Sequence, residues 1–138
     1  MDSIGATPAN VAMVKELYGA FGRGDIAALL GVLSPEVEWG EPDNPLNPAA
    51  GTRRGHAGVL EWLQIGKDAE EILVLEPKQY LVGGDTVAVV GFMRCRARAT
   101  DRVYESEFVH LVSIVDGKVT RFREFFDTYA AAEAYRAS

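Results

Sequence analysis

Cysteine occurs once in 138 residues, at Cys95, which rules out an internal disulfide and the multi-cysteine zinc patterns. Nothing around it activates a thiol, so it reads as a small buried strand residue in a protein of a reducing cytoplasm. Histidine occurs twice, and His56 opens a predicted helix with no second histidine at ligand spacing, so neither a metal nor a cofactor is expected. Lys and Arg number 14 against 20 Asp and Glu, and the net charge of −6 argues against a nucleic-acid partner. The one basic cluster, Arg94, Arg96 and Arg98, alternates with Cys95 and Ala97 and so shares a strand face, where Glu105 and Glu107 can pair with it. No apolar run is long enough to span a bilayer, and MDSIGATPAN lacks the basic and apolar regions of a signal peptide, so no membrane partner is expected. What remains is a single soluble domain over residues 1–138, long enough to bury a core.

Its elements can be placed in order. Thr7 as N-cap and Pro8 at the first helical position open a helix whose apolar stripe is Val11, Val14, Leu17, Tyr18 and Phe21, and Gly22 and Gly24 stop it. Asp25 caps a shorter helix with Ile26, Leu29, Leu30 and Leu33 inward, ended by Ser34-Pro35. A short strand follows at 37–39. The proline-rich stretch 40–55 reads as a long loop, functional or mobile. A third helix covers about 56–69. Four strands, 71–82, 86–98, 103–115 and 118–127, are joined by connections too short for anything but an antiparallel meander. Asp116-Gly117 suits the last hairpin turn. A helix over 128–136 ends the chain.

Both faces of the central strands are apolar, whereas a sheet with one face in water alternates apolar with polar residues. One face must hold the helices. The other, with Val90, Phe92, Val109 and Leu111, is predicted to meet a second copy of the chain in a homodimer.

The segments LYGAFGRGDIAALLGVLSPEVEW, GTRRGHAGVLEWL and DGKVTRFREFFDT resemble the nuclear transport factor 2-like superfamily, in its ketosteroid-isomerase-like and SnoaL-like branches. The resemblance implies an α+β fold, a cone-shaped curved antiparallel sheet wrapped around N-terminal helices, with a pocket for a small hydrophobic molecule. It implies no single activity, because the fold hosts isomerases, cyclases, hydrolases and binders. In isomerase relatives an Asp-Pro after the first strand supplies the base, and Glu41-Pro42 stands there. Their helix-one Tyr corresponds to Leu17, with Tyr18 one step off, and their neutral oxyanion acid corresponds to His110. Epoxide-hydrolase relatives need charged residues where this chain has Gly91 and Met93, with Glu124 as the third position, so that activity is not expected. SnoaL-like cyclases carry an acid/base Asp near the end of the last strand, similar in position to Asp127.

The candidate catalytic residues are therefore Glu41, His110, Asp127 and Glu124, with Tyr18, Trp39, Met93 and Phe108 as candidate substrate contacts. Each has a plainer alternative. Glu41 is a base if the loop folds it inward and a solvated acid otherwise. His110 is a pocket donor or a core histidine bonded to a carbonyl. Asp127 is an acid/base group or the N-cap of the last helix. Glu124 and Asp127 have opposite strand parity, so without a bulge only one of them faces the cone. The implied function is cofactor-free isomerisation or polyketide-type cyclisation of a hydrophobic carbonyl compound by proton transfer. The alternative is a binding or accessory domain that uses the same pocket without chemistry.

Overall fold

The computed structural model describes residues 8–137, so the Thr7 cap lies outside the described residues. The elements are α1 (Pro8–Arg23), α2 (Ile26–Val32), β1 (Leu33–Glu41), β2 (Gly51–Arg54), α3 (Gly55–Ala69), β3 (Glu70–Gly83), β4 (Thr86–Ala97), β5 (Val103–Val115), β6 (Lys118–Phe126) and α4 (Thr128–Tyr135). Pro8 opens α1, where its missing N–H costs nothing. Gly24, at φ 68°, turns the chain out of α1, and the Asp25 carboxylate caps α2 by accepting from the Ala28 N–H at 3.1 Å. Asp116 and Gly117 both take positive φ, 51° and 75°, which closes the β5–β6 hairpin in the left-handed region.

Six strands form one curved, unclosed sheet in the order β2-β1-β6-β5-β4-β3. The meander β3 to β6 is antiparallel, as its short connections require. Irregularities in β3 at Ile72/Val74 and Pro77/Gln79, and in β6 at Thr120 opposite Ser113/Ile114, bend the strands locally. Alternate residues of β4 and β5 point inward: Val87, Val89, Met93 and Cys95 face Val112, His110, Ser106 and Tyr104 across the ladder, all buried. Val14, Leu17 and Leu29 from the helices close the core over them.

Three expectations need correction. The first strand runs nine residues, not three, and starts at Leu33 because α2 ends at Val32, ahead of Ser34-Pro35. It pairs with β6 in parallel, Trp39 beside Phe122, so the sheet is mixed at this one ladder. The stretch 40–55 is not all loop: Gly51–Arg54 forms β2 against the end of β1, leaving only 42–50 as the connection. That connection is packed by its own asparagines. Asn44 and Asn47 are buried, and their side-chain oxygens accept from the Leu46 and Ala49 N–H groups at 3.1 and 2.9 Å. Of the arginine cluster, Arg94 pairs with Glu105 at 3.4 Å, while Arg96 turns to Glu71 and Asp101. Among the described residues no helix is long and apolar enough to cross a membrane.

Candidate active site

The concave face of the sheet and the helices α1 to α3 border a pocket that opens to solvent. Tyr18, Trp39, Glu41, Met93, His110 and Glu124 all reach it. They come from five elements, and the register explains the convergence. The parallel β1–β6 ladder sets Gly40 opposite Arg123, so the next residues along, Glu41 and Glu124, sit at one level. The β5–β6 ladder sets His110 opposite Glu124.

His110 is held at both ring nitrogens. Nδ1 lies 2.6 Å from the Tyr18 hydroxyl, and Nε2 lies 3.0 Å from Glu124 Oε2. A carboxylate only accepts, so Nε2 carries the hydrogen toward Glu124 and Nδ1 accepts from Tyr18. The imidazole is 3% exposed and stacks on Phe108, centroids 4.2 Å apart. It is thus a cavity residue with side-chain partners rather than one tied to a backbone carbonyl.

Glu41 is held from two other directions. The Trp62 indole N–H donates to Oε1 at 2.7 Å and the Asn47 amide donates to Oε2 at 2.5 Å. Burial pushes its pKa up to about 7, and the nearby Glu124 charge pushes the same way. The Trp62 and Asn47 donors pull against both, and Glu70 adds a smaller upward push. Burial first, then the charges of Tyr80 and Glu124, drives the Tyr18 phenol far above its ordinary value, so it stays a donor. Trp39 stacks on Phe122 at 4.0 Å and tilts against Trp62, walling one side.

Two candidates lie elsewhere. Asp127 caps α4, its carboxylate accepting from the Ala130 N–H at 2.9 Å, and it does not line the cavity. No bulge moves it inward, so of the two acids on this stretch Glu124 is the one facing the cone. Phe108 is fully buried behind His110 rather than lining the space, because its ring fills the gap above Gly91. The helix-one hydroxyl comes from Tyr18, while Leu17 packs into the core.

Sequence reasoning missed four polar groups here: Asn47, Glu70, Tyr104 and Tyr135. Glu70 Oε1 accepts from both phenols, at 2.8 and 2.5 Å. Asn47 carried a signal in hindsight, since an Asn within a proline-rich connection beside a candidate base is a ready hydrogen-bond support. Among the described residues no group of three or more His, Cys, Asp or Glu could hold a metal ion.

Residues 14–122 match the model of the SnoaL-like domain. An uncharacterized protein of Mycobacterium tuberculosis is 30% identical over 132 residues, covering 94% of this chain and 97% of that protein. The crystal structure of a nuclear transport factor 2-like protein from Burkholderia xenovorans is 39% identical with a TM-score of 0.85, covering 95% of this chain and 98% of that one. The structure of TerC co-crystallized with polyporic acid is 29% identical with a TM-score of 0.80, covering 94% and 99%. By its fold and by this match, the chain belongs to the SnoaL-like domain family of the nuclear transport factor 2-like superfamily.

Proposed function

We propose that this protein is a cofactor-free acid–base enzyme of the isomerase or polyketide-cyclase type, acting on an apolar carbonyl compound bound in the cone. The observation that carries the reading is Glu41: a buried carboxylate poised near neutral pH, facing the same cavity as the Tyr18–His110–Glu124 chain. Glu41 removes a proton from the carbon next to the carbonyl, and the electron pair moves to the carbonyl oxygen. Tyr18 and His110 steady that oxygen. The Tyr18 O–H rotates from Nδ1 toward that oxygen as negative charge builds on it. Glu41 then returns the proton to another carbon, or the enolate carbon bonds to a second carbonyl, whose oxygen takes the electron pair and then the proton from Glu41. TerC, a related structure that holds polyporic acid, supports a small-molecule site in this fold.

The outer sheet face supports a homodimer, and the single buried cysteine supports a cytoplasmic setting. The chemical reading is tested with 2-acetylnaphthalene in D₂O. NMR is expected to show loss of the methyl proton signal catalysed by the protein and abolished by Glu41→Gln. Binding without exchange would instead identify a non-catalytic ligand domain, and no binding would remove the small-molecule reading altogether.

A further inference from the structure

Glu70 is a cavity acid that the proton-transfer step leaves unused. It is the first residue of β3, pairing with Ala97 on β4, whereas His110 pairs with Val89 far along the same strand. The two groups therefore enter the cavity from well-separated rungs of the sheet. Glu70 Oε1 takes both the Tyr104 and Tyr135 hydroxyls, and the Cys95 thiol hydrogen-bonds to the same carboxylate. No nitrogen or oxygen donor among the described residues meets Oε2. Anchoring α4 to the sheet through Tyr135 explains Oε1 and leaves Oε2 without an N–H or O–H donor.

The surroundings define what Oε2 can take. Among the described residues no Lys or Arg lines the inner cavity, while Glu41, Glu70 and Glu124 all do. Lys67 and Arg98 line the wider mouth between α1, α3 and β3, which Glu41 and Glu70 also border. A ligand carboxylate pushed inward would meet three acids and no cation, whereas a neutral hydroxyl offers the donor that Oε2 lacks. Burial also pushes the Tyr104 phenol and the Cys95 thiol up, so neither competes as an acceptor anion.

We propose that Glu70 is a specificity-determining residue, and that the ligand is an apolar carbonyl compound bearing a neutral hydroxyl group that donates to Glu70 Oε2. This rests on the reading that the carbonyl end is held at Glu41 and His110.

The test is equilibrium binding of 6-acetyl-2-naphthol, its methyl ether, and 6-acetylnaphthalene-2-carboxylate, with no turnover required. The naphthol is expected to bind about tenfold more tightly than the ether, the worth of one hydrogen bond to a charged group, and the carboxylate most weakly. Its absorption band should shift to the red on binding. Glu70→Gln keeps an acceptor oxygen for the two phenols, and it should equalise naphthol and ether and abolish the red shift. Tyr135→Phe removes one anchor but leaves Glu70, and it should retain the preference even where the melting temperature falls. Equal binding in the wild type, a preference that survives Glu70→Gln, tightest binding by the carboxylate, or no binding at all would each overturn the proposal. Intact selectivity without proton exchange would overturn the catalytic reading and leave this one standing.

Discussion

The Tyr18 hydroxyl lies 2.6 Å from His110 Nδ1, joining residues 92 positions apart in the chain. Tyr18→Phe keeps the ring and its stacking but removes the donor. Loss of one oxyanion donor costs about 10²- to 10³-fold in kcat. Leaving the buried Nδ1 unmet costs about 1–3 kcal/mol of stability. Exchange kinetics and urea denaturation measure the two effects separately. A variant with unchanged kcat would remove Tyr18 from the chemistry.

Gly91 positions the histidine indirectly. A Cβ built there would fall 2.4 Å from Phe108 Cζ and 2.5 Å from the Glu76 carbonyl oxygen, and Phe108 is the ring that His110 stacks on. The Glu76 backbone cannot yield as a side chain could. Gly91→Ala should therefore destabilise the fold by about 1–3 kcal/mol, the range for overpacking, and lower activity in the surviving folded fraction. Thermal unfolding checks the first effect. A neutral substitution would mean that Phe108 has room to move.

Strand positions were legible in the sequence because alternating side chains and Gly- or Asp-containing turns mark each strand end locally. Parity alone separated Glu124 from Asp127, although it could not tell which of the two faced inward. The β1–β6 pairing was not legible, since it joins segments about eighty residues apart and no local turn announces it. That ladder brings Glu41 level with Glu124, so the charge that adds to burial in raising the Glu41 pKa was hidden with it. Trp62 was readable as a helix-face aromatic, but its indole bond to Glu41 depends on how α3 lies over β1. Asp127 shows the reverse case: the helix N-cap pattern was visible in Asp127-Thr128, and local chemistry decided its role.

The outer face of the sheet carries Val90, Phe92, Val109 and Leu111, only partly covered, with Phe125 42% exposed beside Val109. Lys78 and Arg123 lie over the Phe92 and Phe125 rings, which softens the patch without covering it. The proposed homodimer uses this surface. Light scattering at micromolar concentration should give twice the 15.0 kDa chain mass, and Val109→Lys should give the monomer. A wild-type monomer would exclude the assembly, while a dimer untouched by Val109→Lys would move it to another face.

Glu41 makes both stability and activity depend on pH, in opposite directions. Its carboxyl titrates near 4.5 when unperturbed and at about 7 in the fold. Between those values the native state keeps a proton that the unfolded chain has released. Stability is therefore greatest below pH 4.5 as far as this group is concerned, and it falls as pH rises through 7, by at most about 3 kcal/mol. Activity runs the other way, because only the ionised carboxylate takes a proton, so exchange rates should climb through pH 7. Urea denaturation at pH 5, 6, 7 and 8 reads the first trend, and a pH–rate profile of the methyl exchange reads the second. Glu41→Gln should flatten the stability profile across this window and remove the exchange. A wild-type stability that rises from pH 5 to 8, with the Gln variant following it in parallel, would show that Glu41 is not the group that titrates there.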